Sequence, residues 1–183
     1  MTAKCMDPNI MEDSTGETPL IIAAGLKGSE EVIRALICGG AHLDFRAKDG
    51  RTAVHKAVEK ENQPILELLL DLGASANYKD NKGLTPLYYN VQNGGSPMTA
   101  ELLLKERTTV NVMDTQGWRE IHHACRHGRV QHLQLLIYYG AEVNCQNEAG
   151  NTPLHVCAAY NQESAARLVL FRGADRSIKN KNS

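Results

Sequence analysis

A nine-residue phrase returns five times in this chain of 183 residues, and the interval between its copies limits the fold more than any single residue does. Gly-Glu-Thr-Pro-Leu-Ile-Ile-Ala-Ala at 16–24 recurs in altered form at 50–58, 83–91, 117–125 and 150–158, so that the leading glycines stand 34, 33, 34 and 33 residues apart. A period of this length describes one small supersecondary unit. Such a unit cannot bury its own apolar face, so its copies must stack, and the stack itself becomes the core.

Each copy carries its own folding instructions. The glycine marks a hairpin turning into a helix, where positive φ is often needed. In the fullest copies Thr18, Thr85 and Thr152 can cap that helix, and Pro19, Pro86 and Pro153 take its first position, where a missing N–H costs nothing. Small residues such as Ala23-Ala24 and Ala57-Val58 keep the helix thin enough for a neighbour to approach. A second helix follows with an apolar stripe, fullest at Ile65, Leu66, Leu68, Leu69 and Leu70 and repeated at 102–104, 135–137 and 168–170. A Gly-Ala pair then ends the unit at 40–41, 73–74, 140–141 and 173–174. Helix pairs are therefore predicted to start near Pro19, Ala53, Pro86, Glu120 and Pro153. The third unit has Arg107-Thr108 in place of Gly-Ala, which predicts a locally altered turn. The extra residue of the two 34-residue units is expected in the helix–helix turns near Gly25–Gly28 and Gly94–Ser96.

The core phrase Thr-Pro-Leu-His at this period resembles the ankyrin repeat. The fold this implies is an all-α solenoid, a helix-turn-helix plus a β-hairpin loop per repeat, with repeats at 16–49, 50–82, 83–116, 117–149 and 150–182 and a partial repeat end at 5–15. Met6–Asn9 reads like the close of a repeat and Ser183 stands where another would begin, so the chain is expected to be part of a longer array. Within ankyrin repeats, Gly39-Gly-Ala-His-Leu-Asp-Phe-Arg46, Gly83-Leu-Thr-Pro-Leu-Tyr88, Gly117-Trp-Arg-Glu-Ile-His122, Val130-Gln-His-Leu133 and Tyr160-Asn-Gln-Glu-Ser164 are similar to the ankyrin segment of the Shank family of postsynaptic scaffolds, with departures at Lys105–Asn111 and Arg129 that mark a divergent member. The resemblance implies a non-enzymatic docking module in the neuronal cytoplasm, at the postsynaptic density. The partners it implies are spectrin (fodrin), a Sharpin-like adaptor and the family's own N-terminal domain.

Composition argues for no other class. A net charge of −1 gives no global attraction to nucleic acid or an anionic membrane, and no apolar run approaches the length of a spanning helix. The five cysteines, at 5, 38, 125, 145 and 157, are scattered and include no C-x-x-C, which fits a reducing compartment.

Two constellations could have carried chemistry. His122, His123, Cys125, His127 and His132 crowd the fourth repeat, and His123 with His127 has the i,i+4 spacing of a zinc-binding pair. His122 and His155, however, occupy the repeat's own histidine position, suited to hydrogen bonding between repeats, and no second ligand pair follows. Cys125 sits at a small packing position matched by Ala24, Val58 and Ala158, which suits a structural thiol better than a nucleophile. No catalytic residue, metal ligand or cofactor site is therefore assigned.

Partner binding is expected on the concave side, at hairpin tips and exposed inner-helix positions. Arg51, Lys60, Leu84, Trp118, Arg126 and Tyr160 are the candidate contact residues, since Trp, Tyr and Arg dominate interface energies. Trp118 could instead wedge between hairpins. The alternative function is an ankyrin adaptor or regulatory subunit that recruits targets to a ubiquitin ligase or kinase.

Overall fold

The chain folds into five stacked helix pairs, seen in a computed structural model that describes residues 7–181. Cys5, Met6 and Ser183, used above for the expected ends of the array, lie outside the described residues. The inner helices are α1 (Pro19–Ala24), α3 (Ala53–Glu59), α5 (Pro86–Asn93), α7 (Glu120–Arg126) and α9 (Pro153–Ala159); the outer ones are α2 (Glu30–Cys38), α4 (Gln63–Asp71), α6 (Pro97–Lys105), α8 (Val130–Tyr138) and α10 (Glu163–Phe171). All five inner helices start at the predicted residue.

Local chemistry explains these starts. Thr18, Thr85 and Thr152 accept the backbone N–H three residues on, at 3.4, 3.3 and 3.4 Å, ahead of a proline at the first position. Inner helices pack on one another at every step of the stack, whereas the outer helices approach each other less closely, so the array bends toward the inner side. The small residues make this possible: Ala24, Ala57, Ala124 and Cys125 are fully buried between neighbours. Leucines of the outer helices fill the space behind them, with Ile65, Leu66, Leu69 and Leu103 at 0–1% exposure.

Backbone bonds tie neighbouring hairpins at four steps of the stack. Gly50 has φ +84°, and a Cβ there would meet the Asn81 backbone N at 2.7 Å, so glycine is needed for both conformation and approach. The stacking bonds run from the N–H of Lys48, Asn81, Glu148 and Lys181 to the carbonyls of Thr15, Asp49, Gln116 and Ala149. A second ladder uses asparagine. Asn9, Asn77, Asn111 and Asn144 each donate to the carbonyl closing the following helix pair and accept an N–H two residues beyond it, as in Asn77 to Arg107 O (3.2 Å) and Thr109 N to Asn77 Oδ1 (2.7 Å).

The third repeat corrects an expectation. Its closing turn is not rebuilt: Arg107 takes the left-handed conformation, φ 56°, at the post held by Gly40, Gly73, Gly140 and Gly173. What changes is the bonding. The Thr108 N–H reaches Leu103 O at 3.4 Å, against 2.8–2.9 Å at the four Gly-Ala turns, and the Thr108 hydroxyl donates to the same carbonyl at 2.6 Å. The extra residue of this repeat lengthens α5 to eight residues, ended by a left-handed Gly94. In the first repeat it widens the turn between α1 and α2.

Candidate partner-binding face

Five of the six candidate contact residues fall into two groups with different chemistry. Arg51, at the first group's centre, lies 4.5 Å over the Tyr89 ring. Its Nη1 is 2.9 Å from Glu59, and its Nε is 3.5 Å from Asp49 and 3.9 Å from buried Asp80. The Tyr89 hydroxyl donates to Asp80 Oδ2 at 2.6 Å, and Arg51, His55, Glu59, Tyr89 and Asn93 line a cavity of about 290 Å³. Lys60 is exposed and shares Glu59, at 3.5 Å. This end of the face is neutralised from within.

Trp118, Arg126 and Tyr160 form the second group, from the hairpin before α7, the end of α7 and the C-cap of α9. The Asp114 carboxylate fixes the hairpin by accepting from the N–H groups of Gln116 and Trp118, both at 2.9 Å. Half-buried Trp118 then lies edge-on to His122 (5.8 Å between centroids) and tilted over His123 (5.3 Å), so it packs structurally as well as presenting a face. Arg126, at the end of α7, holds its guanidinium 5.7 Å from the Trp118 ring and 4.9 Å from that of Tyr160, which is 43% exposed.

Leu84 must be withdrawn from the contact residues. It is 5% exposed and packs with Tyr88 and Val112, an apolar contact that the residues at the same position in other repeats (Glu17, Arg51, Trp118, Asn151) did not reveal. Sequence reasoning missed Tyr89, whose neighbourhood depends on stacking against a residue 38 positions earlier. The Tyr88-Tyr89 pair, where three of the other repeats have His followed by Lys, His or Val, was the available signal.

Beneath the second group runs a buried polar network. The Tyr88 hydroxyl donates to Asp114 Oδ2 at 2.8 Å and lies 2.7 Å from His123 Nε2. Burial pushes the His123 pKa down to about 4 against the opposing pull of Asp114, and because the Tyr88 hydroxyl gives its proton to Asp114, the neutral ring donates Nε2–H to the tyrosine oxygen. His127 caps the C-terminus of α7, and His132 Nε2 faces Asn90 Oδ1 at 3.2 Å. His122 contacts Asn151 O at 3.1 Å, so the fourth-repeat histidines point to separate partners. The Cys125 thiol is hydrogen-bonded to Cys157 and, with burial added, its pKa is raised, away from the thiolate. Among the described residues no three His, Cys, Asp or Glu groups gather as a metal site. Glu120, where other repeats have Pro or Ala, is buried with Oε1 accepting from Val112 N–H at 3.2 Å and Oε2 unpartnered; burial lifts its pKa to about 7.

A family model for ankyrin repeats (3 copies) matches residues 2–80, 21–114 and 87–180. The chain is 57% identical over 183 residues to human SH3 and multiple ankyrin repeat domains protein 2, covering 100% of this chain and 10% of that protein. To the mouse SH3 and multiple ankyrin repeat domains protein 1 it is 53% identical over 130 residues, 71% of this chain and 6% of the relative. Mouse Rabankyrin-5 is 29% identical over 166 residues, 89% of this chain and 14% of its own length. The chain thus spans a tenth or less of the SH3 and multiple ankyrin repeat relatives.

Proposed function

Because the chain belongs to the ankyrin-repeat family, and is similar to the ankyrin segment of Shank scaffolds, we propose that it is a non-enzymatic docking module of a synaptic-type cytoplasmic scaffold. Its partner is a protein gripped on the inner-helix side around Trp118, Arg126 and Tyr160. The observation that carries this reading is the guanidinium of Arg126 set between two aromatic rings, at 5.7 and 4.9 Å. Such a group offers a rigid aromatic surface and directed donors together, the combination that concentrates binding energy. Spectrin (fodrin), a Sharpin-like adaptor and the scaffold's own N-terminal domain are the candidate partners, the first two as outside proteins and the third as a neighbour in the same scaffold.

The test is a calorimetric titration of this chain with a spectrin-repeat fragment, alongside Tyr160→Ala and Arg126→Ala. Each variant should weaken binding by about tenfold or more while circular dichroism stays unchanged. Both variants folding and binding like the parent would move the partner off this face.

A further inference from the structure

Four arginines are half-buried among the described residues: Arg51, Arg119, Arg126 and Arg129. Three of them have an acceptor within the fold, although the buried Nε of Arg119 has none. Arg51 pairs with Glu59 at 2.9 Å, Arg119 with Glu142, and Arg129 donates to Val91 O. Arg126 is the exception. Its guanidinium touches aromatic faces, and none of its five N–H donors has an acceptor among the described residues.

The surroundings offer it no ion pair. Asp114 is occupied by Tyr88 and two backbone N–H groups, and Glu163 by Arg167. Asp114 apart, the groups around it are of its own sign or neutral: Arg129 and Arg126 together bear on His127, and His123 is neutral. A guanidinium flanked by rings keeps its edges free, because stacking uses its faces and hydrogen bonding uses its rim. A planar fork of this kind matches a carboxylate bidentately.

We infer that Arg126 is a receptor for a carboxylate, an Asp or Glu side chain from an acidic segment of the docked protein, with Trp118 and Tyr160 as the walls of its seat. This rests on the docking reading above and names the partner's chemistry. One half-buried guanidinium suits a single negative charge, which favours a carboxylate over a doubly charged phosphate. Arg51 on the same face, already neutralised by three carboxylates, takes no part, so the acidic contact is confined to the C-terminal half of the array.

The experiment follows the Arg126 Nε–H and Trp118 indole N–H resonances of the 183-residue chain during titration with an acetylated hexaglutamate peptide. Hexaglutamine and a phosphoserine peptide of equal length serve as controls. The expected result is a saturable shift of both resonances with hexaglutamate, and a response about fivefold weaker or less with hexaglutamine and with the Arg126→Lys chain, which keeps charge but loses the fork. Equal responses to hexaglutamate and hexaglutamine, or tighter binding of the phosphoserine peptide, would overturn the inference. A spectrin fragment that depends on Tyr160 but binds Arg126→Gln at parental affinity would overturn it too, leaving the docking reading intact. Conversely, hexaglutamate bound through Arg126 with no binding of spectrin would uphold the inference and remove only that partner.

Discussion

The Tyr88 hydroxyl lies 3.3 Å from the Trp118 carbonyl, the position that His55 Nε2 takes at Leu84 O (3.4 Å) and His122 Nε2 at Asn151 O (3.1 Å). One repeat has thus exchanged an imidazole for a phenol and kept the bond to the next hairpin. The phenol reaches further, and its extra length adds Asp114 and His123 to the contact. Tyr88→Phe keeps the packing but leaves Asp114 Oδ2 and His123 Nε2 without their partner. It should lower stability by about 1–3 kcal/mol in urea denaturation. An unchanged midpoint would mean that water replaces the hydroxyl at no cost.

The buried histidines make stability depend on pH. His55 and His122 accept the cap N–H at Nδ1 (3.2 and 3.1 Å), which requires the neutral ring, and burial holds both, with His123, at a pKa of about 4. Unfolded histidine titrates near 6.5, so between about 6.5 and 4 the unfolded chain binds more protons. Their contribution is complete above 6.5 and is lost as pH falls through that window. Glu120 acts in the opposite sense. Its folded pKa of about 7 lies above the unfolded value, so its contribution is present in acid and is lost as pH rises through 7. Thermal melts should therefore decline from pH 6.5 to 4.5. Glu120→Gln should gain on the parent at pH 8 and match it at pH 5; parallel curves would show that Glu120 does not titrate with folding.

Arg107 is the one repeat-closing residue held left-handed without being glycine. An L-residue in that region carries a steric cost of about 1–2 kcal/mol, and glycine does not. Arg107→Gly should therefore stabilise the chain by up to about 1 kcal/mol, after the greater entropy of unfolded glycine is offset. Equal denaturation midpoints for the two chains would show that the Thr108 hydroxyl bond already relieves the strain.

Leu69→Ala removes a side chain with 0% exposure from the outer-helix stripe. The cavity should cost about 2–5 kcal/mol. A smaller loss in chemical denaturation would show that α4 can slide to close the gap.

The repeat frame was legible in the residues because each boundary is set locally. Gly, Thr and Pro fix where α1, α5 and α9 start, and small residues such as Ala57 fix which helix faces its neighbours. Contacts that need the stack's register were not legible. Leu84 follows a repeat glycine as Arg51 and Trp118 do, yet Tyr88 and Val112 offer it an apolar seat, and it turns inward. The Arg51–Tyr89 stack, like the Arg126–Tyr160 contact, joins residues more than 30 positions apart and exists only once adjacent repeats are superposed.

Trp118 and Tyr160 separate the two roles that sequence alone left open. Trp118 packs on His122 and His123 and against the core, while Tyr160 is 43% exposed with its ring under the Arg126 guanidinium. Trp118→Ala should accordingly lose about 2 kcal/mol of stability as well as affinity, being a half-buried version of a core truncation. Tyr160→Ala should change stability by less than about 0.5 kcal/mol, as surface changes do, and lose affinity alone. Paired urea melts and spectrin-fragment titrations on both variants measure the split. Should Trp118→Ala melt like the parent while binding fails, the indole is purely a contact residue; should Tyr160→Ala lose the fold, its ring supports α9 and the binding assignment moves to Arg126 alone.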